Sequence, residues 1–231
     1  MPELKRVGHK GADLIAPGNT LESFGAALEC GVDMIEFDVL RLRDGRLVLA
    51  HDYGDAAKRD PVTLAEGLDH FSTDAYNDVE LDVDLKLPGY EREVVEGLLE
   101  RGLGDRAIVS SMYLESLDRV TELGPGIRRG WSVPRVRRDY TRSVYAPVAY
   151  AAARVMRRRL PRQAEGLLLE DRIDAVMVHW LLSSRRLAER VHAGAGDVYV
   201  WTVDDADRIE QLTAIGVDGI ITNDPRLFPA R

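Results

Sequence analysis

A chain of 231 residues with 45% hydrophobic and 30% charged side chains has the make-up of one globular domain, expected to span 1–231, with a sizeable core. Its net charge of −8 argues against the basic surface that nucleic-acid binding usually needs, and a single cysteine, Cys30, excludes an internal disulfide and a thiolate metal cluster. No stretch approaches the ~20 consecutive apolar residues of a membrane span and Met1 to Val7 lacks a signal-like apolar run, so a cytoplasmic protein is expected.

Along the chain, short apolar runs alternate with amphipathic stretches, the pattern of parallel strands joined by crossover helices. Arg6 to His9 reads as the first strand, and a helix opens at Asn19-Thr20-Leu21-Glu22, with Asn19 as its cap, and runs to Cys30, where Gly31 stops it. Met34 to Leu40 is the second strand, and Arg46 to Ala50 pairs back on it as a hairpin arm. Residues 53–77 are too few for a separate core and are expected to form a cap or loop. Strands follow at Leu81 to Lys86, Ala107 to Ser111, Ile127 to Ser132, Ala175 to Val178, Val198 to Val203 and Gly219 to Ile221. Helices are expected at Glu91 to Arg101, Leu114 to Leu123, Arg186 to His192 and Ala206 to Ile215. The order predicts the α/β class: a (β/α)8 TIM barrel with a short β-hairpin arm after strand 2, a small loop insertion and a truncated last helix. A doubly wound open sheet is the alternative.

The second strand carries the most informative residues. In Met34-Ile35-Glu36-Phe37-Asp38-Val39, alternation points Glu36 and Asp38 to one side of an otherwise apolar strand. Two adjacent buried carboxylates need a counter-charge, and a divalent cation of the magnesium, calcium or manganese kind suits oxygen ligands. A structural ion pair with a nearby Arg or Lys is the plainer reading. A barrel would gather other polar strand ends at the same face: His9, His51, Asp84, Lys86, Ser110, Ser111, Trp201 and Asp204.

These residues resemble the glycerophosphodiester phosphodiesterases, within the phosphatidylinositol-phosphodiesterase-like TIM-barrel superfamily. The family's His-Arg-Gly, Glu-Asn-Thr, Ile-Glu-x-Asp and His-Asp motifs stand here as His9-Lys10-Gly11, Gly18-Asn19-Thr20, Ile35-Glu36-Phe37-Asp38 and His51-Asp52. Its Glu-x-Lys strand end is Asp84-Leu85-Lys86, its Trp-Thr-Val-Asn is Trp201-Thr202-Val203-Asp204, and its Gly-Val-Asp-Gly-Ile-Ile-Thr-Asp-x-Pro is Gly216 to Pro225.

The resemblance implies metal-dependent hydrolysis of glycerophosphodiesters to glycerol 3-phosphate and an alcohol. Glu36, Asp38 and Asp84 would hold one divalent cation (Mg, Ca or Mn), and His9 and His51 would be the general acid and base. Lys10 and Lys86 would contact phosphate, and Trp201 would pack against substrate. Asp82 shares a strand face with Asp84 and Lys86, so it is either the third ligand instead of Asp84 or a partner for Lys86 in a lower layer. Lys10 for Arg, Gly18 for Glu and Asp84 for Glu depart from the family pattern and bear on substrate preference. They also leave open a lysophospholipase D-like or cyclic-phosphate-forming reaction, as in related sphingomyelin-cleaving toxins, or a catalytically impaired binding homologue. Between Val136 and Asp171, arginines 154, 157, 158, 159 and 162 read either as the solvated end of a barrel helix or as a peripheral contact with an anionic lipid surface.

Overall fold

Nine strands form a single sheet that closes on itself in the computed structural model, which describes residues 3–135 and 146–229. In chain order they are β1 (Lys5–Gly8), β2 (Met34–Arg41), β3 (Leu47–Leu49), β4 (Glu80–Leu85), β5 (Ala107–Ser111), β6 (Arg128–Val133), β7 (Ala175–His179), β8 (Asp197–Trp201) and β9 (Gly219–Thr222). All neighbours pair in parallel except β3, which runs antiparallel to β2, and β1 pairs with both β2 and β9 to complete a TIM barrel of eight parallel strands. The helices are α1 (Leu21–Glu29), α2 (Tyr53–Ala56), α3 (Leu64–Phe71), α4 (Glu91–Glu100), α5 (Leu114–Leu123), α6 (Ala146–Leu169), α7 (Arg185–Ala193) and α8 (Ala206–Ala214). Among the described residues β9 is followed by a single 3-10 turn, Pro225–Leu227, where a full last helix of the barrel would stand.

Alternation along the strands sorts the barrel interior into levels. At the amino-terminal end, Lys5 pairs with Glu80 and Arg128 with Asp197, both at 2.5 Å, making an ionic floor. Above it Val7, Met34, Ile108, Ala175, Met177, Tyr199 and Ile221 form one apolar cluster. A second set of acids lies above this plug, where Glu36 is beside Asp82 and Asp38 beside Asp84 in the β2–β4 register. The intervening residues Ile35, Phe37, Val39, Leu81 and Val83 point outward into the layer between sheet and helices.

Two expectations need correction. Residues 53–77 are not merely a loop: α3 supplies the crossover between β3 and β4, opened by a Thr63–Glu66 capping box. Its Leu64, Leu68 and Phe71 are buried, and Phe71 packs at 4.7 Å from Phe24 of α1 and 5.1 Å from Phe37 of β2, ring centre to ring centre. The cap of α1 is Thr20, whose hydroxyl accepts from Ser23 N–H, because Asn19 is withdrawn into the interior.

The 24-residue α6 has a length of ~36 Å. Its carboxyl half is held by buried Leu160 and Ala164, whereas Arg154, Arg157, Arg158, Arg159 and Arg162 are exposed, together with Val155 and Met156. The part of the basic segment at 136–145 lies outside the described residues. Among the described residues no helix is long and apolar enough to cross a membrane.

Candidate active site

The adjacent strands β2 and β4 bring Glu36, Asp38 and Asp84 together, each offering a carboxylate oxygen within 4.8 Å of the others. Asp38 is fixed by Asn19: the amide donates to Asp38 Oδ2 at 2.8 Å and its carbonyl accepts from Asp38 N–H at 3.0 Å. Glu36 Oε2 accepts the Lys10 backbone N–H at 2.8 Å. That contact depends on a tight β1–α1 turn, in which Lys10 and Gly11 have φ of 52° and 85° and a Cβ on Gly11 would lie 2.5 Å from Ser23 Oγ.

Lys86 enters between two of these acids. Its ammonium touches Asp38 Oδ1 and Asp84 Oδ2, so part of the plainer ion-pair reading holds. One lysine does not neutralise three carboxylates, however, and Asp84 Oδ1 is buried without a hydrogen-bond partner. Burial, and then the neighbouring Asp38, raises the Glu36 carboxyl well above its usual range, and burial also raises Asp84. Burial would raise Asp38 as well, but Lys86, His51 and Lys10 outweigh it and hold that group low. Lys86 itself is held well above the usual range because Asp38 and Asp84 overcome its burial. An orphaned oxygen in a converging set of hard oxygen donors is what a divalent cation would satisfy.

Asp82 lies a level lower and is not the partner of Lys86 that one reading expected. Ser110 Oγ donates to it at 2.6 Å, and burial pushes its pKa up to about 7. Ser110 and Ser111 are both buried, and Ser111 donates to the Leu85 carbonyl at 3.0 Å, so neither serine faces the mouth freely.

The two histidines occupy different surroundings. His9 Nε2 lies 3.8 Å from Glu36 Oε2, and burial together with Lys10 pulls the ring down to about 4, leaving it neutral at pH 7. His51 stands on the rim with its side chain 49% exposed, Nδ1 3.4 Å from Asp52 Oδ2. Its charge nonetheless acts on Asp38 and Asp84. Lys10 Nζ is 3.5 Å from Asp13. A Cβ on Gly18 would lie 2.5 Å from Asp13 Oδ1, so the Asp13 carboxylate fills the space of a side chain at 18.

Trp201 faces the barrel interior, donating from Nε1 to the Met177 carbonyl at 2.9 Å and meeting the His179 ring edge to face at 5.1 Å. Trp131 instead packs into the outer helix layer, and Trp180 lies under the Arg208 guanidinium at 4.1 Å. Sequence reasoning missed Asn19 as a partner of Asp38, and also His179, Asn223 and Arg59. The Arg59 guanidinium ties the 53–60 segment to the β1–α1 turn by donating to the Gly18 carbonyl at 2.6 Å.

The model of the glycerophosphoryl diester phosphodiesterase family matches residues 9–62 and 72–227. The chain belongs to that family. Among curated relatives, a glycerophosphodiester phosphodiesterase of Caldanaerobacter subterraneus subsp. tengcongensis is 26% identical over 95% of this chain and 93% of its own length. A glycerophosphodiester phosphodiesterase of Bacillus subtilis is 22% identical over 96% and 84%. Of solved structures, a putative glycerophosphoryl diester phosphodiesterase from Silicibacter pomeroyi superimposes with a TM-score of 0.76 at 20% identity, covering 98% of this chain and 92% of that one. An Oleispira antarctica phosphodiesterase in complex with the product sn-glycerol-3-phosphate gives 0.69 at 20% identity, covering 96% and 94%. This phosphodiesterase is thereby placed among the phosphoric diester hydrolases.

Proposed function

We propose that this phosphodiesterase cleaves glycerophosphodiesters to sn-glycerol 3-phosphate and an alcohol, with Glu36, Asp38 and Asp84 holding a divalent cation of the Mg, Ca or Mn kind. The observation that carries the reading is the convergence of three carboxylates on one point, with Asp84 Oδ1 buried and unpartnered. When bound, the cation supplies positive charge to the phosphate oxygens and acidity to an oxygen it contacts.

The chain's own groups divide the remaining work. Neutral His9, with Nε2 toward Glu36, accepts the proton of the substrate glycerol hydroxyl as that oxygen attacks phosphorus. His51, on the rim, donates to the departing alcohol oxygen. Water then opens the cyclic phosphate, with the two histidines exchanging roles. Lys86, held charged between Asp38 and Asp84, and Lys10, anchored through its backbone to Glu36, present cations to phosphate. Trp201 offers an apolar wall for the glycerol or alcohol group. The exposed arginines of α6 support a peripheral contact with anionic lipid.

Phosphorus NMR of product mixtures tests the proposal, using glycerophosphodiesters and lysophospholipids with and without EDTA and re-added Mg, Ca or Mn. Metal-dependent appearance of sn-glycerol 3-phosphate supports it. Accumulation of a cyclic phosphate as the final product, or no turnover with any metal, contradicts it.

A further inference from the structure

His9 is the end of a short hydrogen-bonded chain that the catalytic reading does not use. Its Nδ1 lies 2.5 Å from Oδ1 of Asn223, just beyond β9. The Asn223 amide donates from Nδ2 to Asp204 Oδ2 at 2.6 Å, and its backbone N–H donates to Asp204 Oδ1 at 2.8 Å. Thr222 Oγ1 adds a third donor to Asp204 Oδ1, at 3.1 Å. An ionised carboxylate only accepts, so Asp204 fixes which end of the Asn223 amide is NH2 and turns the carbonyl oxygen toward His9. That oxygen in turn only accepts, so the proton of the neutral imidazole sits on Nδ1 and the Nε2 lone pair faces Glu36.

We propose that Asp204 and Asn223 are positioning residues, which hold His9 in the Nδ1–H form with Nε2 presented to the reaction centre. An amide carries no proton onward, so the chain orients the ring and is not a relay. Relative to the family motifs quoted above, Asp and Asn are exchanged between positions 204 and 223. One carboxylate and one amide remain, so the contact between the two segments survives the exchange. Asn223→Asp alone would set two carboxylates against each other, and Asp204→Asn alone would free the Asn223 amide to flip and offer its NH2 to His9.

The inference rests on His9 as a proton carrier, and the test separates the two. Nitrogen-15 NMR of the histidine-labelled, metal-free protein at a pH where the rings are neutral reads the tautomer directly. Wild type should show a protonated Nδ1 and an unprotonated Nε2 for His9, with the resonances assigned by His9→Gln. Asp204→Asn and Asn223→Ser should give mixed tautomers, with kcat reduced roughly tenfold to a hundredfold and KM changed less than about threefold. Asn223→Asp should be impaired likewise, and the double exchange Asp204→Asn with Asn223→Asp should recover at least about tenfold over either single variant. Circular dichroism identifies any variant that fails to fold, and the wild-type tautomer then still decides. A protonated Nε2 in wild type overturns the proposal. So do folded single variants with unchanged spectrum and kcat, while His9→Ala is inactive. If His9→Ala retains near-normal turnover, it is the proton-carrier reading that fails.

Discussion

Asn19 and Asp38 hold each other by two hydrogen bonds, amide to carboxylate and backbone N–H to amide oxygen, with both residues fully buried. The pair fixes the Asp38 side chain with Oδ2 committed to Asn19 and Oδ1 turned to Lys86. Removing the amide strands a buried charged acceptor at a cost of ~1.5–3 kcal/mol. Because Asn19 has φ of 59°, alanine there adds left-handed strain of about 1 kcal/mol that glycine avoids. Urea unfolding should therefore show Asn19→Ala as the less stable of the two variants, both below wild type. Stability within about 0.5 kcal/mol of wild type for both would refute this.

Lys86 occupies the space between Asp38 and Asp84 and makes the only ion pair to either of them among the described residues. Lys86→Met leaves those buried acids uncompensated and should lower metal-free stability by about 3–5 kcal/mol. Added Mg, Mn or Ca should raise the melting temperature of Lys86→Met more than that of wild type, because the ion then supplies the missing charge. Equal shifts would mean that the ammonium and the ion do not share the same acids.

His9 gives a pH dependence with a definite sign. Its native value of about 4 lies below the ordinary 6.5, so between these values the unfolded chain binds a proton that the native chain does not. Stability from this ring is full above 6.5 and is lost as pH falls toward 4, by ~2 kcal/mol between pH 7 and 5. Asp82, raised to about 7, acts oppositely, binding its proton in the native state and gaining stability over that descent. The comparison must therefore be with His9→Gln, which should lose less stability than wild type from pH 7 to 5 in urea titrations of metal-free protein. An identical loss in the two proteins would remove His9 as the cause.

The α6 arginines give a binding prediction. Vesicles containing anionic lipid should co-sediment with the protein at low salt and release it as salt rises. Changing Arg157, Arg158 and Arg159 to Ala should weaken the association without altering turnover of a water-soluble diester. No binding by the intact protein would eliminate the contact.

Much of this could be read from the sequence because barrel physics writes itself locally. Period-two alternation put Glu36 and Asp38 on one face, and the strand ends supplied His9, Asp84 and Lys86. The α3 helix was equally legible in Thr63-x-x-Glu66 and in Leu64, Leu68 and Phe71 at helical spacing, but the short length of the segment suggested a loop. Asn19 misled because an Asn before a helix is ordinarily its cap, and only the buried Asp38, nineteen positions away, shows why Thr20 takes over. The Asp204–Asn223–His9 contacts join residues from both ends of the chain, and no local pattern encodes such a meeting.

The central claim is that Glu36, Asp38 and Asp84 form one cation site, and titration calorimetry of the metal-free protein with Mn2+ tests it most directly. Wild type should bind one ion per chain, and Asp84→Asn and Glu36→Gln, folded by circular dichroism, should lose at least about tenfold in affinity. Wild type that binds no ion, or variants that bind it with unchanged affinity and stoichiometry, would contradict the account.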